Sequence, residues 1–211
     1  MRRLALAFLA ATLLFTGCAN QKVQQDLTAF KAAAPRSILV VPVANRALDV
    51  DAPNYLLSTL SVPLAEKGYY VFPVNTTKVV LEQEGFYEGD QIQKQAPQHL
   101  TQMFSADAVL FVTINRWDAQ YVLLTTKVTV DLEYQMYAKD GTPIWKASQK
   151  MDVPQNNSTG NPIADLVVMA VNAAVTRAAP NYMPLARQAN TQVFILGPNA
   201  VPNGPYAVTK Q

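Results

Sequence analysis

The chain of 211 residues contains one cysteine, Cys18, and one histidine, His99. A lone cysteine excludes an intramolecular disulfide, and these two side chains are too few for a zinc site built mainly from Cys and His. No Gly-x-Ser-x-Gly motif accompanies His99, and the eight glycines are scattered rather than gathered in a phosphate-binding loop. The sequence therefore predicts no catalytic residues, no metal and no cofactor, and His99 is expected at the surface.

The chain also lacks an excess of charge of either sign. It contains 17 basic and 15 acidic residues, and removing residues 1–17 takes away Arg2 and Arg3 but no acid. The remainder is nearly neutral, half of the chain is hydrophobic, and no dense Lys/Arg cluster stands out. This composition predicts one domain with its own core and no nucleic-acid partner.

A hydrophobic run long enough to span a bilayer is missing as well. The apolar stretch 4–15 covers about 12 residues, whereas a membrane-spanning helix needs about 20. It follows Met1-Arg2-Arg3 and precedes Thr16-Gly17-Cys18, an order typical of a secretory signal. We predict that residues 1–17 are a signal peptide. The alternative is an ordinary secreted protein whose cysteine happens to lie near the cleavage site.

Residues 14–18, Leu-Phe-Thr-Gly-Cys, resemble the lipobox of bacterial lipoproteins, although Phe15 replaces the usual leucine. The resemblance implies that Cys18 carries the lipid, palmitate included, and anchors the protein without a spanning helix. Ala19 and Asn20 follow Cys18, where an aspartate would favour retention in the inner membrane. This resemblance implies the outer membrane and its periplasmic side, with surface exposure left open.

Hydrophobic periodicity predicts an α/β fold. Three apolar runs indicate strands, namely 37–43, 69–72 and 108–114, and the segments between them suit helices, one of which should be kinked or split by Pro63. Alternation from Val122 to Met136, the turn Asp140-Gly141 and a return strand over 145–153 predict an antiparallel meander. We expect a mixed parallel/antiparallel sheet with helices packed against it.

The rest of the chain completes the predicted organisation. Helical spacing indicates a helix over 162–178, and the apolar run Val193–Leu196 could add an edge strand. Residues 18–36 are predicted to be a lipidated tether with at most a brief helix near Leu27 and Phe30. A single α/β domain should span 37–196, followed by an extended tail over 197–211.

Phe86 and Tyr87 are the candidate partner-binding residues. Gly85 and Gly89 flank them in a predicted loop, and exposed aromatic side chains in loops often anchor interfaces. The alternative is that both rings fold back over the sheet. Trp117 and Tyr121 are expected at the turn between the central strand and the meander, where they pack structurally.

Several stretches resemble a Gram-negative lipoprotein family of unknown function that includes a neisserial surface-antigen candidate. They are 37–43, 49–55, 63–74, 106–114, Trp117-Asp118-Ala119 and 202–206. The resemblance implies a small α/β domain similar to the N-terminal domain of TolB, which is also found in the curli secretion lipoprotein and in a lipoprotein activator of peptidoglycan synthases. The family provides no catalytic motif, so Cys18 is the one functional residue that can be carried over.

Two functions are compatible with these features. The first is a non-catalytic adaptor, anchored in the outer membrane, whose domain binds another envelope protein in a transport, secretion or wall-synthesis assembly. The second is a homo-oligomeric structural or secretion component of the outer membrane. The second would need an amphipathic segment that inserts into the membrane, for which the strand 122–136 is the candidate.

Overall fold

The computed structural model describes residues 25–122, 125–154 and 182–208. Cys18, the predicted signal peptide and the predicted helix over 162–178 lie outside this part of the chain. The elements of the described part, in chain order, are α1 Thr28–Ala33, β1 Ser37–Val40, β2 Ala44–Asn45, α2 Ala52–Leu57, α3 Ser61–Glu66, β3 Tyr70–Val71, α4 Val74–Gln83, α5 Gly89–Ile92, α6 Pro97–Phe104, β4 Ala108–Val122, β5 Thr125–Ala138, β6 Pro143–Pro154 and α7 Met183–Thr191.

The strands form one mixed sheet in the order β3-β1-β4-β5-β6, with β2 paired to β4 beyond the end of β1. The pairs β1–β3, β1–β4 and β2–β4 are parallel. The pairs β4–β5 and β5–β6 are antiparallel. This arrangement confirms the predicted α/β fold, since the short apolar runs became parallel strands and the alternating segments became the meander.

Alternating side chains of the sheet divide the core into two layers. Ile38 and Val40 of β1 belong to the larger layer, together with residues of α2, α3 and α7. Leu39 and Val41 point to the other face and join Leu81 of α4 and residues of α5 and α6. Successive strand residues face opposite sides, so the buried part of β1, Ile38 to Val40, is apolar because both of its faces are covered.

The ends of the domain pack more closely on it than the sequence predicted. Phe30 of α1 is buried and meets the ring of Tyr69 at 6.4 Å between centroids. In the C-terminal segment Val201 is buried, the Gly204 amide donates to the Lys67 carbonyl at 2.7 Å, and the Tyr69 hydroxyl donates to the Pro202 carbonyl at 2.7 Å. The predicted tether and tail therefore both contribute to the core.

Two local predictions were wrong. Val193–Leu196 is not an edge strand but most of a π-helical turn, Gln192–Leu196, that continues α7 and buries Val193 and Phe194. The turn expected at Trp117 does not occur, because β4 runs on to Val122. Trp117 is buried in the larger core layer and packs on Tyr182, with 5.1 Å between ring centroids. Its predicted structural role is thereby confirmed.

Candidate functional site

A cleft of about 400 Å³ lies where the parallel strands β1 and β2 end, between the start of α2 and the start of α5. We call it the edge cleft. In open α/β sheets, the carboxyl ends of the strands are the usual place for binding crevices, because connections leave there towards both faces. Its lining residues are Pro42, Val43, Asn45, Val50, Pro53, Asn54, Leu57, Lys78, Tyr87, Glu88, Gly89 and Asp90.

One wall of the edge cleft is the loop 46–51. Asn45 holds this loop in shape, since its Nδ2 donates to the Asp49 carbonyl at 2.8 Å and its Oδ1 accepts from the Ala47 amide at 3.0 Å. The fixed loop leaves Leu48 fully exposed and Val50 82% exposed. Apolar side chains displayed on a hydrogen-bonded loop are typical of a binding surface rather than of a folding core.

The opposite wall carries the two predicted site residues, and the structure separates them. Phe86 packs against the smaller core layer, whereas Tyr87 lines the edge cleft and is 66% exposed. The Gln91 side chain braces this loop, accepting from the Tyr87 amide at 3.4 Å and donating to the Gly85 carbonyl at 3.5 Å. The alternative of a ring folded over the sheet therefore applies to Phe86, and Tyr87 remains the candidate contact.

The two walls meet at a close backbone approach. Gly89 sits directly against the Val43 carbonyl, where any side chain carbon would collide with the Val43 and Ala44 backbone. Glycine is required here because only its backbone can come this close. This contact fixes Tyr87 relative to Val50, so the edge cleft is formed before any partner binds.

Acidic groups surround the edge cleft. Glu88 and Asp90 are exposed members of its lining, and Lys78 is its one basic member. The Lys78 ammonium is engaged locally, since it donates to Asn54 Oδ1 at 3.1 Å and lies 3.9 Å from Glu82 Oε1. The site therefore places two exposed apolar side chains, Val50 and Tyr87, beside a mainly polar lining in which the acids outnumber the one lysine.

Sequence reasoning missed Leu48 and Val50. They alternate with Asp49 and Asp51 in a loop between a strand and a helix. That alternation was the available signal. A loop of six residues is too short to form a core of its own, so its apolar side chains must either be exposed or pack back onto the domain. His99, in contrast, is exposed on α6 as the sequence predicted.

A larger groove of about 930 Å³ runs along β6, between residues 25–26 and the turn after α7. With its amide turned towards the strand, Gln25 donates to the Lys146 carbonyl at 2.7 Å and accepts from the Lys146 amide at 2.9 Å. The Gln25 amide N–H also donates to Asn199 Oδ1 at 3.2 Å. The groove is lined mainly by residues of β5 and β6 and by residues 192–199, and it contains neither of the predicted partner-binding residues.

Comparison with known proteins assigns the chain to a family. Residues 25–206 match the model of the GNA1162-like lipoproteins. The lipoprotein NMB1124/NMB1162 of Neisseria meningitidis serogroup B is 34% identical over 166 residues, which cover 78% of this chain and 77% of that protein. The lipoprotein GNA1162 from Neisseria meningitidis has a crystal structure similar to this one, with a TM-score of 0.57 and 30% identity, covering 67% of this chain and 99% of that chain.

A more distant similarity is to PelC of Paraburkholderia phytofirmans, crystallised as a dodecamer. Its TM-score is 0.41 and its identity 13%, over 70% of this chain and 91% of that chain, which is too little to bear on assembly. Across residues 25–122, 125–154 and 182–208, none of the helices combines the length and apolar character needed to cross a membrane. By the match over residues 25–206 and the neisserial relative, the chain belongs to the GNA1162-like lipoprotein family.

Proposed function

We propose that this lipoprotein is an adaptor, held in the outer membrane by lipid on Cys18 and facing the periplasm, that binds another envelope protein without catalysis. The observation that carries the proposal is the edge cleft, where Val50 and Tyr87 are exposed on two braced loops. Solvent-exposed apolar and aromatic side chains at a preformed concave site are typical anchors of protein interfaces.

The alternative, a homo-oligomer that inserts β5 into the membrane, is less favoured by the packing of that strand. Val130, Leu132, Tyr134 and Met136 of β5 are fully buried in the core of the domain. The Tyr134 ring packs edge-on against Phe194, at 5.4 Å between centroids. Insertion would strip β5 from a completed core and expose to water the apolar side chains that pack against it, Phe194 among them, at a cost of roughly 1.5–3 kcal/mol for each large side chain exposed.

The proposal is tested by site-specific photo-crosslinking in living Gram-negative cells. The full chain carries p-benzoylphenylalanine at position 87, and a matched control carries it at Tyr70, another exposed tyrosine at the opposite end of β1. We expect a discrete adduct with another envelope protein from position 87 and none from position 70. Equal adducts from both positions, or an adduct between two copies of this chain, would contradict the adaptor function.

A measurement of mass tests the alternative directly. The Cys18→Ala protein, purified from the periplasm and examined by light scattering, is expected to have the mass of a monomer. A large closed ring would contradict the adaptor proposal and favour the homo-oligomer.

A further inference from the structure

We infer that the edge cleft selects a basic partner segment, one with an apolar anchor flanked by lysine or arginine. This inference rests on the proposed function and adds the chemistry of the partner. It combines the apolar exposure of Val50 and Tyr87 with the distribution of charge around them.

Acidic residues outnumber basic ones around the edge cleft. The segments that form its walls, residues 46–60 and 78–94, together contain six acidic residues against three basic ones, Arg46, Lys78 and Lys94. The acids are Asp49, Asp51, Glu82, Glu84, Glu88 and Asp90. The mature chain as a whole is nearly neutral, so this concentration of negative charge belongs to one end of the sheet rather than to the overall composition.

Local ion pairing does not cancel this charge. Lys78 is shared between Asn54 Oδ1 and Glu82, which leaves Glu88 and Asp90 as exposed acids beside Tyr87. Arg46 lies at the edge of the loop 46–51 and its guanidinium donates towards Asn115 Oδ1 at 3.4 Å, on the β4 side. Among the residues that the structure describes, acids thus outnumber bases at the mouth of the edge cleft, which favours the approach of cationic segments within roughly one Debye length, about 8 Å in physiological salt.

The same excess of acids disfavours other occupants. Anionic lipid headgroups and nucleic acid carry charge of the same sign as the rim and would be repelled. A second copy of this chain would bring an identical acidic rim if it docked symmetrically through this surface, which is unfavourable for an isologous contact. The apolar side chains provide the contact area, and the acids determine which partners approach and in which orientation.

The experiment extends the crosslinking at position 87 in the full chain. In the presence of Glu88→Lys and Asp90→Lys together, we expect the yield of the adduct to fall on the order of tenfold, because rim charges govern the rate of encounter. The control is Glu66→Lys, which reverses an exposed acid at the end of α3. It should leave the yield within about twofold, since α3 leads into β3, whose Tyr70 pairs with the start of β1, the end opposite the edge cleft.

A milder pair, Glu88→Gln and Asp90→Asn, guards against misfolding and should give an intermediate yield. In isolated membranes, raising the salt from about 50 to about 300 mM should lower the yield of the unmodified protein and affect the reversed variant less. Mass spectrometry of the crosslinked peptide is expected to show an apolar residue with lysine or arginine within a few positions.

The outcomes separate the two proposals. A specific adduct whose yield is insensitive to charge reversal and salt, or whose contact peptide is neutral or acidic, overturns the basic partner and leaves the adaptor function standing. The absence of an adduct specific to position 87 overturns both.

Discussion

A buried chain of hydrogen bonds links three elements through single side chains. The Tyr134 hydroxyl donates to Asn190 Oδ1 at 2.7 Å, Asn190 Nδ2 donates to Thr59 Oγ1 at 2.7 Å, and Thr59 Oγ1 donates to the Leu56 carbonyl at 2.6 Å. All three side chains are buried, and burial raises the pKa of the Tyr134 hydroxyl far above its ordinary value, so it remains a donor. Such a chain fixes the position of α7 on the sheet, because any slip of the helix would leave polar groups unpaired.

Tyr134→Phe is expected to lower the free energy of unfolding by about 1–3 kcal/mol. The ring and its packing are kept, but the Asn190 carboxamide oxygen loses its donor inside the core. Urea denaturation of the purified variant measures the change. The matched control is Tyr137→Phe, whose hydroxyl donates to the exposed Gln135 at 2.6 Å, and it should change stability by less than about 0.5 kcal/mol. Equal effects of the two substitutions would show that the buried chain is not stabilising.

At the scale of elements, the sequence predicted most of the sheet from periodicity alone. Residues 38–41 and 108–112 are apolar because both of their faces are covered, and the helix expected to be split by Pro63 ends at Leu57 and begins again at Ser61, with Pro63 in the first turn of α3. The turn at Asp140-Gly141 also formed, with Gly141 at a φ of 85°. These features depend on local chemistry, which a sequence carries directly.

The missed elements are those where local patterns are ambiguous. Before residue 115 the even-numbered residues of β4 face the larger core layer. The pairing of β4 with β5 shifts register between Ile114 and Arg116, so the odd-numbered Trp117 faces that layer instead. This broken alternation resembles the end of a strand. Val193 continues the helical spacing of Leu185 and Ala189 on α7, but a run of four apolar residues fits a strand equally well. The edge cleft could not be predicted, because it depends on the contact of Gly89 with Val43 across distant elements.

Removing residues 201–211 is expected to lower the free energy of unfolding by about 2–4 kcal/mol. The deletion exposes the site of buried Val201 and removes the carbonyl that accepts from Tyr69 and the amide that donates to Lys67. Thermal unfolding followed by circular dichroism should show a lower Tm. A deletion of 208–211 is the control, since Val208 is 89% exposed and its loss should leave the Tm unchanged. A normal Tm for the longer deletion would refute this role of the C-terminal segment.

For the whole molecule, the membership of a lipoprotein family and the position of Cys18 make attachment the property to test. Cys18→Ala is expected to abolish labelling by palmitate and to move the protein from the membrane fraction into the soluble periplasmic extract, because no acyl chain would hold it. Fractionation of labelled cells measures both effects. Ser37→Ala, on β1, is a control that should retain the label. An unlabelled parent protein would contradict lipid attachment.

Because Gln25 is bound to the edge of β6, only a short stretch of chain can separate the domain from a lipid on Cys18. Six residues, 19–24, separate Cys18 from Gln25, and a fully stretched chain of that length covers about 25 Å at most. A lipid on Cys18 would thus restrict the domain to a shallow layer above the bilayer. A domain held in this way could bind only those partners that have a surface close to the same bilayer.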